Sequence, residues 1–415
     1  MSGRCARSST SSTGTAERVR IGIAKPDLGY IGGYERVIDR ISAELGRDGH
    51  EIVWMKLNAL DVPRLPYGVP LPPRVAPELW EFQRYVALME TFGELDTSGF
   101  DLMISTQAPS FAVEHDRHLS VFSHHHRIYY DLADVQVAGG FADPELHDMI
   151  ASAVRRLDQP RMEGVSAYLA ASEEVKGRLE RFNGLTENVL VYHAGVAFGE
   201  AVPAWDAPRD NGEYVLCVTR HEFPKRGELF VHALKYLSPY RGVVVGNGAR
   251  LPWVRAVDSR LSASGVDLDA LTDADLWLNR GATDLLEFSL FGSNVEFVED
   301  ASGEQLHRLY SGAFCAVAPA YLEDYGLTGV EAMTYGLPLI VCSDGGGLTW
   351  FVEDGITGFV VEPTGRAIAD AVERLRRDPE LASEMGRVAR ERAQEFTWER
   401  AMDEIRRGVG LAMAG

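Results

Sequence analysis

The strongest constraint on this chain is a pattern that occurs twice. Strand-like "VRIGIA" (19–24) leads through the Gly-rich loop "PDLGYIGG" into helix-like "YERVIDRISAEL". Around residue 214 the order restarts: "EYVLCVT", then the charged loop "RHEFPKRG", then helix-like "ELFVHALKYL". Short β-branched apolar runs go on alternating with longer amphipathic stretches from Val19 to about Val361, the mark of parallel α/β architecture. Two doubly wound, Rossmann-like domains follow, with ligand expected in the crevice outside the carboxyl ends of the strands. A length of 415 residues is ample for two cores.

The expected division is a polar leader at 1–17, a first domain at 18–198, a Pro-containing linker at 199–213, a second domain at 214–390, and C-terminal helices at 391–415. Thr397 is a plausible cap between those last helices. Two stretches fit the alternation poorly. "LDVPRLPYGVPLPPRVAPELW" (60–80) is too rich in proline for helix or central strand and reads as a long loop packed on the first domain. "GVDLDALTDADLWLNRGATDLLEFSLFGSN" (265–294) reads as one or two added helices.

Charge and composition narrow the function. A net charge of −20 argues against gripping nucleic acid or anionic lipid, which reward clustered Lys and Arg. No apolar run reaches the roughly 18 residues of a membrane span, and no signal-peptide pattern opens the chain, so a cytoplasmic protein is expected. Cys5, Cys217, Cys315 and Cys342 are scattered without C-x-x-C spacing, which predicts reduced, buried thiols. The D-x-D pairs Asp267/Asp269 and Asp273/Asp275 read as solvated charge on the helical insertion. "HHH" (124–126) has no carboxylate partner at recognisable spacing, so no metal is expected.

The residues that carry chemistry cluster at strand ends. Arg220 follows "EYVLCVT", and Lys225 stands five residues on, before a helix. "FCAVAP" (314–319) is a strand, and the helix after it starts near Gly326, leaving free N–H groups around Leu327 and Thr328 that favour an anion. Gly32 and Gly33 offer a second helix start from the first domain. Two cations and helix termini around one crevice suggest a diphosphate. Glu331, one turn into the helix, is then within reach of a ribose diol, and Glu323, before it, within reach of a sugar on the other side of the phosphates. The plainer alternative is a turn cap and a helix-dipole acid.

These motifs, with "VVVGNG" (243–248), "NVEFVED" (294–300) and "APAYLEDYGLTGVEAMTYGLPLIVCSDGGGLTWFVEDGITGFVVEP" (318–363), resemble family 4 of the retaining glycosyltransferases on the GT-B fold. The resemblance runs over nearly the whole chain, and its E-x7-E spacing is specific. It implies two Rossmann-like domains facing a cleft, with a C-terminal helix crossing back to the first. It also implies a nucleoside-diphosphate sugar as co-substrate and no cofactor. Arg220 and Lys225 would bind the diphosphate with the backbone of Gly33, Leu327 and Thr328. Glu331 would hold the ribose and the backbone near Phe297 and Val298 the base. Glu323 and the amides of Asp324, Tyr325 and Gly326 would grip the transferred sugar. His124, with His125 in reserve, would stand near that sugar, and His126 would serve packing or surface.

Two departures stand out. "HAGVAF" (193–198) lacks the aspartate of the family's N-G-V-D hinge, leaving Ala197 without a role, and the 265–294 insertion is open to an oligomeric or acceptor-facing function. The implied reaction is metal-independent transfer to a hydroxyl of a small soluble acceptor, such as a sugar, aminocyclitol or natural-product intermediate, touching the 60–80 loop and residues 127–141. Same-face attack is favoured over a covalent intermediate on Glu323. A nucleotide-sugar epimerase or hydrolase would use the same crevice, and a non-catalytic sensor would need Glu331 alone.

Overall fold

A computed structural model of the chain describes residues 18–27, 29, 32–59, 77–196, 212–263, 265–278 and 293–415. The expected leader, most of the Pro-rich loop, Ala197, the linker up to residue 211 and residues 279–292 of the insertion lie outside the described residues.

In the first lobe the order is β1 (Arg20–Asp27), α1 (Gly33–Arg47), β2 (Glu51–Asn58), α2 (Pro77–Gly93), β3 (Leu102–Ser105), β4 (His118–Phe122), α3 (Ala133–Ala138), α4 (Pro144–Glu163), β5 (Ala167–Ala170), α5 (Glu173–Asn183) and β6 (Val189–Val191). The second lobe holds β7 (Tyr214–Val218), α6 (Gly227–Tyr236), β8 (Arg241–Val245), α7 (Leu251–Leu261), α8 (Asp273–Trp277), β9 (Val295–Val298), α9 (Gly303–Gly312), β10 (Ala313–Ala318), α10 (Leu327–Thr334), β11 (Leu339–Cys342), β12 (Gly358–Val361), α11 (Gly365–Arg377), α12 (Pro379–Ala393) and α13 (Trp398–Ala414).

Each lobe is a six-stranded parallel sheet, ordered β2-β1-β3-β4-β5-β6 and β12-β11-β10-β7-β8-β9. The runs expected to be strands are buried nearly end to end, because helices cover both faces of a parallel sheet. Strand order reverses between β1 and β3 in one lobe and between β7 and β10 in the other. Loops diverge at such a reversal and leave a crevice. The second crevice therefore lies between the loop carrying Arg220 and Lys225 and the loop carrying Glu323.

Local signals set the helix starts. The side chains of Ser172, Thr364 and Thr397 accept backbone N–H bonds at the starts of α5, α11 and α13, and Asp378 does so for α12, which has Pro379 in its first turn. Of the C-terminal helices, α13 packs on β4 and β5 of the first lobe. Gly408 lies against Leu169 of β5, and Arg406 pairs with Asp48 at 2.8 Å. The preceding helix α12 packs with Gly386 against the Gly336 carbonyl that follows α10.

The described part of the insertion holds a 3-10 turn at Leu268–Ala270 and the five-residue α8. Asp267 caps that turn, Asp269 pairs with Arg366 at 3.1 Å, and Asp275 takes part in the cap made by Thr272. Among the described residues, no helix is long and apolar enough to cross a membrane. Cys217, Cys315 and Cys342 are buried and stand in no disulfide.

A Cβ at position 408 would already lie 3.0 Å from the Leu169 side chain. Gly408→Val should therefore cost about 1–3 kcal/mol through overpacking, seen as a lower urea midpoint with unchanged slope.

Candidate functional site in the cleft between the lobes

Three loops build the second lobe's side of the cleft. The loop after β7 turns through Phe223–Lys225, and its next residue, Arg226, adopts the left-handed region at φ 48°. That conformation is uncommon for arginine, and the buried guanidinium explains it. Arg226 donates to the Pro319 carbonyl at 2.7 Å and to Asp344 at 2.9 Å, tying the loops after β7, β10 and β11 together. Sequence spacing draws attention to Lys225 and passes over Arg226, although the neighbour is what sets the lysine's position.

Lys225 and Glu323 form a hydrogen-bonded ion pair, both half-buried. The two residues expected on the phosphates and on the sugar thus face each other across the crevice. Arg220 is exposed at the end of β7. Glu323 is fixed through its backbone: its N–H donates to Gly345 at 3.1 Å, and its carbonyl accepts from Gly347 at 2.7 Å.

Gly326 caps α10 at φ 99°, where a Cβ would lie 2.4 Å from the Leu348 side chain. Only glycine fits there. Leu327 at the start of α10 lies across the cleft from Gly33 at the start of α1, since a Cβ on Gly33 would sit 3.0 Å from the Leu327 side chain. Gly32 precedes α1, and its N–H donates to Glu35 at 2.8 Å, while Gln107 donates to the other oxygen of that carboxylate. Two helix N-termini from different lobes therefore meet beside the Lys225–Glu323 pair. Both direct positive ends at the same space.

Glu331 lies in the second turn of α10 and accepts from the buried Tyr310 hydroxyl at 3.0 Å. Burial pushes its carboxyl up to about 7, partly opposed by the Tyr310 bond and by the field of Arg36 on α1. Phe297 and Val298 end β9, the edge strand of the second sheet, and the Val298 carbonyl accepts from Gly246 at 2.9 Å.

The histidine triplet separates by environment. His124 is half-buried, with Nδ1 donating to the His125 carbonyl at 2.6 Å. Its field reaches Asp324. His125, the reserve choice for facing the sugar, is fully buried. It is stacked on Tyr130 and bonded through Nε2 to Asn183 at 2.7 Å, and burial lowers it to about 3. It belongs to the core. His126 packs between Tyr85 and Tyr129, and burial lowers it to about 4.

Several charged residues that the sequence did not single out converge here from the first lobe. Arg127 and Arg178 donate to the Leu322 carbonyl at 2.7 and 2.6 Å, and both pair with Asp324. Ser172 donates to the Asp324 carbonyl, and buried Tyr325 donates to Ala194 of the hinge segment at 2.8 Å. Burial works to raise the Asp324 carboxyl, but Arg127 and Arg178 hold it well below the usual range. The Asp324 and Tyr325 side chains are thus occupied by the opposite lobe. In sequence, Arg178 is an i+4 partner of Glu174, which reads as a solvated helix face.

The comparisons with known proteins agree with this architecture. Residues 282–392 match the family model described as glycosyl transferases group 1. The D-inositol 3-phosphate glycosyltransferase of Corynebacterium aurimucosum is 33% identical over 251 residues, covering 59% of this chain and 56% of the relative. The sucrose synthase of Acidithiobacillus caldus is 36% identical over 110 residues, covering 25% of this chain and 14% of the relative. The first four curated relatives are matched over 25% to 56% of their own length. Among solved structures, sucrose-phosphate synthase from Thermosynechococcus elongatus superposes with TM-score 0.66 at 21% identity, over 95% of this chain and 100% of that one. HepE from Anabaena, solved with UDP-glucose, gives TM-score 0.57 at 15% identity, over 96% and 100%.

Glu331 also sets a pH dependence. A carboxyl raised from about 4.5 to about 7 binds more protons folded than unfolded between those values. Its contribution is fully present below pH 4.5 and is lost as pH rises through 7. Asp158, raised to about 7 by burial, has the same sign, so the informative comparison is between Glu331→Gln and the parent. The variant should flatten the fall in stability between pH 5 and 8 by on the order of 3 kcal/mol, measured by urea denaturation across that range. The segment 282–392 thus matches the glycosyl transferases group 1 family model, and it is set within a two-lobed architecture of the GT-B fold.

Proposed function

We propose that this protein is a retaining, metal-independent glycosyltransferase that moves a sugar from a nucleoside-diphosphate sugar to a hydroxyl of a small soluble acceptor. The observation that carries this reading is the meeting of two helix N-termini, at Gly33 and Leu327, beside the Lys225–Glu323 ion pair. Such a place suits an anion flanked by neutral, hydroxyl-rich groups. HepE was solved with UDP-glucose, and the curated relatives are named for inositol phosphate and sucrose, which supports a sugar nucleotide as donor and a small polyol or sugar as acceptor.

On this reading the diphosphate lies between Arg220, Lys225 and the two helix starts. Lys225 turns from Glu323 to the phosphate, and the released carboxylate accepts hydroxyls of the transferred sugar. His124 stands beside that sugar, while amides between Asp324 and Gly326 help to hold it. Glu331 takes the ribose diol, and backbone groups near Phe297 and Val298 meet the base. As the anomeric carbon–oxygen bond breaks, its electron pair passes to the leaving phosphate. The acceptor oxygen bonds to the anomeric carbon on the same face, and its proton goes to that phosphate.

Negative charge grows on the leaving group, so fixed cations stabilise the transition state more than the ground state. One cation–phosphate contact at about 4 Å reaches on the order of 4 kcal/mol at an effective dielectric near 20, several times the worth of an exposed ion pair. No metal is required for that neutralisation. Mixed charge along α4, with Glu145 and Asp148 beside Arg155 and Arg156, gives an anionic bilayer little to hold and favours a soluble acceptor.

A thermal-shift screen of UDP-, GDP-, ADP- and TDP-sugars tests the reading. The true donor at 100 times its dissociation constant should add about 2.7 kcal/mol. Absence of any shift across the four sinks the proposal. With that donor, Lys225→Ala and Arg220→Ala should each lose roughly 10²–10³ in kcat, as when an oxyanion donor is removed.

A further inference from the structure

The loop that carries Glu323 is held from both lobes, and the two sets of contacts differ in kind. From its own lobe it takes backbone bonds: Leu322 N–H to Asp344 at 2.8 Å, Glu323 N–H to Gly345 and Gly347 N–H to the Glu323 carbonyl. From the opposite lobe it takes charge. Arg127, just after the histidine triplet, and Arg178, on α5, aim their guanidinium groups at one carbonyl, that of Leu322.

Leu322 sits at φ 45°, a left-handed conformation that a leucine keeps only where surrounding contacts over-determine it. Two charge-assisted bonds on its carbonyl are such contacts. The clamp is also braced behind. Asp131, whose carboxyl is 1% exposed, pairs with Arg127 at 2.6 Å and lies 3.4 Å from Arg178, and Glu174 takes the Arg178 Nε at 3.0 Å.

We infer that Arg127 and Arg178 are positioning residues that set the Glu323 carboxylate for sugar transfer, acting from the opposite lobe through the Leu322 carbonyl and Asp324. They hold the residues on either side of Glu323 and leave its side chain to Lys225. The acid is therefore in register only where the first lobe is docked on the loop. A pair that merely glued the lobes together would have no reason to grip the two neighbours of Glu323. This inference rests on the transferase reading above.

Asp324→Asn tests it while keeping the size of the side chain and the loop amide. With the activated sugar that gives the largest melting shift, kcat should fall by about 10–100-fold, the effect of a small misplacement, while the donor KM stays within about threefold. Hydrogen exchange at the Leu322 and Glu323 amides should quicken at least about tenfold without change in β10 or α10. Arg127→Lys, which keeps the charge and loses the fork, should shift both readouts in the same direction. It also decides the matter if Asp324→Asn does not fold.

A folded variant with parental kcat, one whose loss appears only in KM, or one whose loop exchange is unchanged overturns the inference. If the parent transfers no sugar from any of the four donors, the transferase reading fails. Loop exchange then decides by itself whether the clamp holds the loop.

Discussion

The Leu322 carbonyl is the point on which the cleft depends. It belongs to a residue in left-handed geometry, one position before Glu323, and it receives hydrogen bonds from two guanidinium groups of the other lobe. Without those bonds, the buried Arg178 and the partly buried Arg127 each lose an acceptor beside the Asp324 carboxylate they both pair with. Breaking one side of a buried charge pair costs about 3–5 kcal/mol, so the network is coherent only as a whole. The fold supplies the setting: the strand-order reversal between β7 and β10 parts the loops of the second lobe and leaves room for the first lobe's side chains.

Arginine does most of this structural work. Arg226 binds three loops of the second lobe, Arg127 and Arg178 bind the lobes to one another, and Arg250 pairs with buried Glu228. A planar fork that stays charged when buried suits the joining of carbonyls and carboxylates. Lysine has a different place in the cleft. Lys225 makes a single contact with Glu323 on a flexible stem, an arrangement that an anion can divide with little disturbance to the fold.

Period and capping chemistry made the architecture legible in the sequence. Buried parallel strands must be continuous apolar runs, and Thr397 before an amphipathic stretch is a helix start whatever lies around it. The glycines at 33 and 326 were legible because a helix start packed against another element leaves little room for a side chain. Long-range charge pairing was not. Arg178 and Asp324 are 146 residues apart, and nothing in either local pattern points to the other. The triplet at 124–126 shows the same limit. Three identical side chains take three environments, and burial of His125 against Tyr130 and Asn183 is decided by packing that no spacing rule contains.

The two glutamates of the E-x7-E pattern illustrate how position along one helix start separates chemical character. Glu323 lies outside the helix, in contact with an ammonium group, and its backbone is fixed by a glycine-rich loop. Glu331 lies inside it, with a tyrosine hydroxyl as hydrogen-bond donor and burial holding its carboxyl near 7. A carboxylate already matched to a cation gains when a ligand offers hydroxyls as that cation turns to phosphate. A carboxyl matched only to a neutral hydroxyl gains from a second neutral donor, which a ribose diol provides without bringing further charge. Eight residues place both acids at one helix start, and their neighbours, Lys225 and Tyr310, give each a different chemical character.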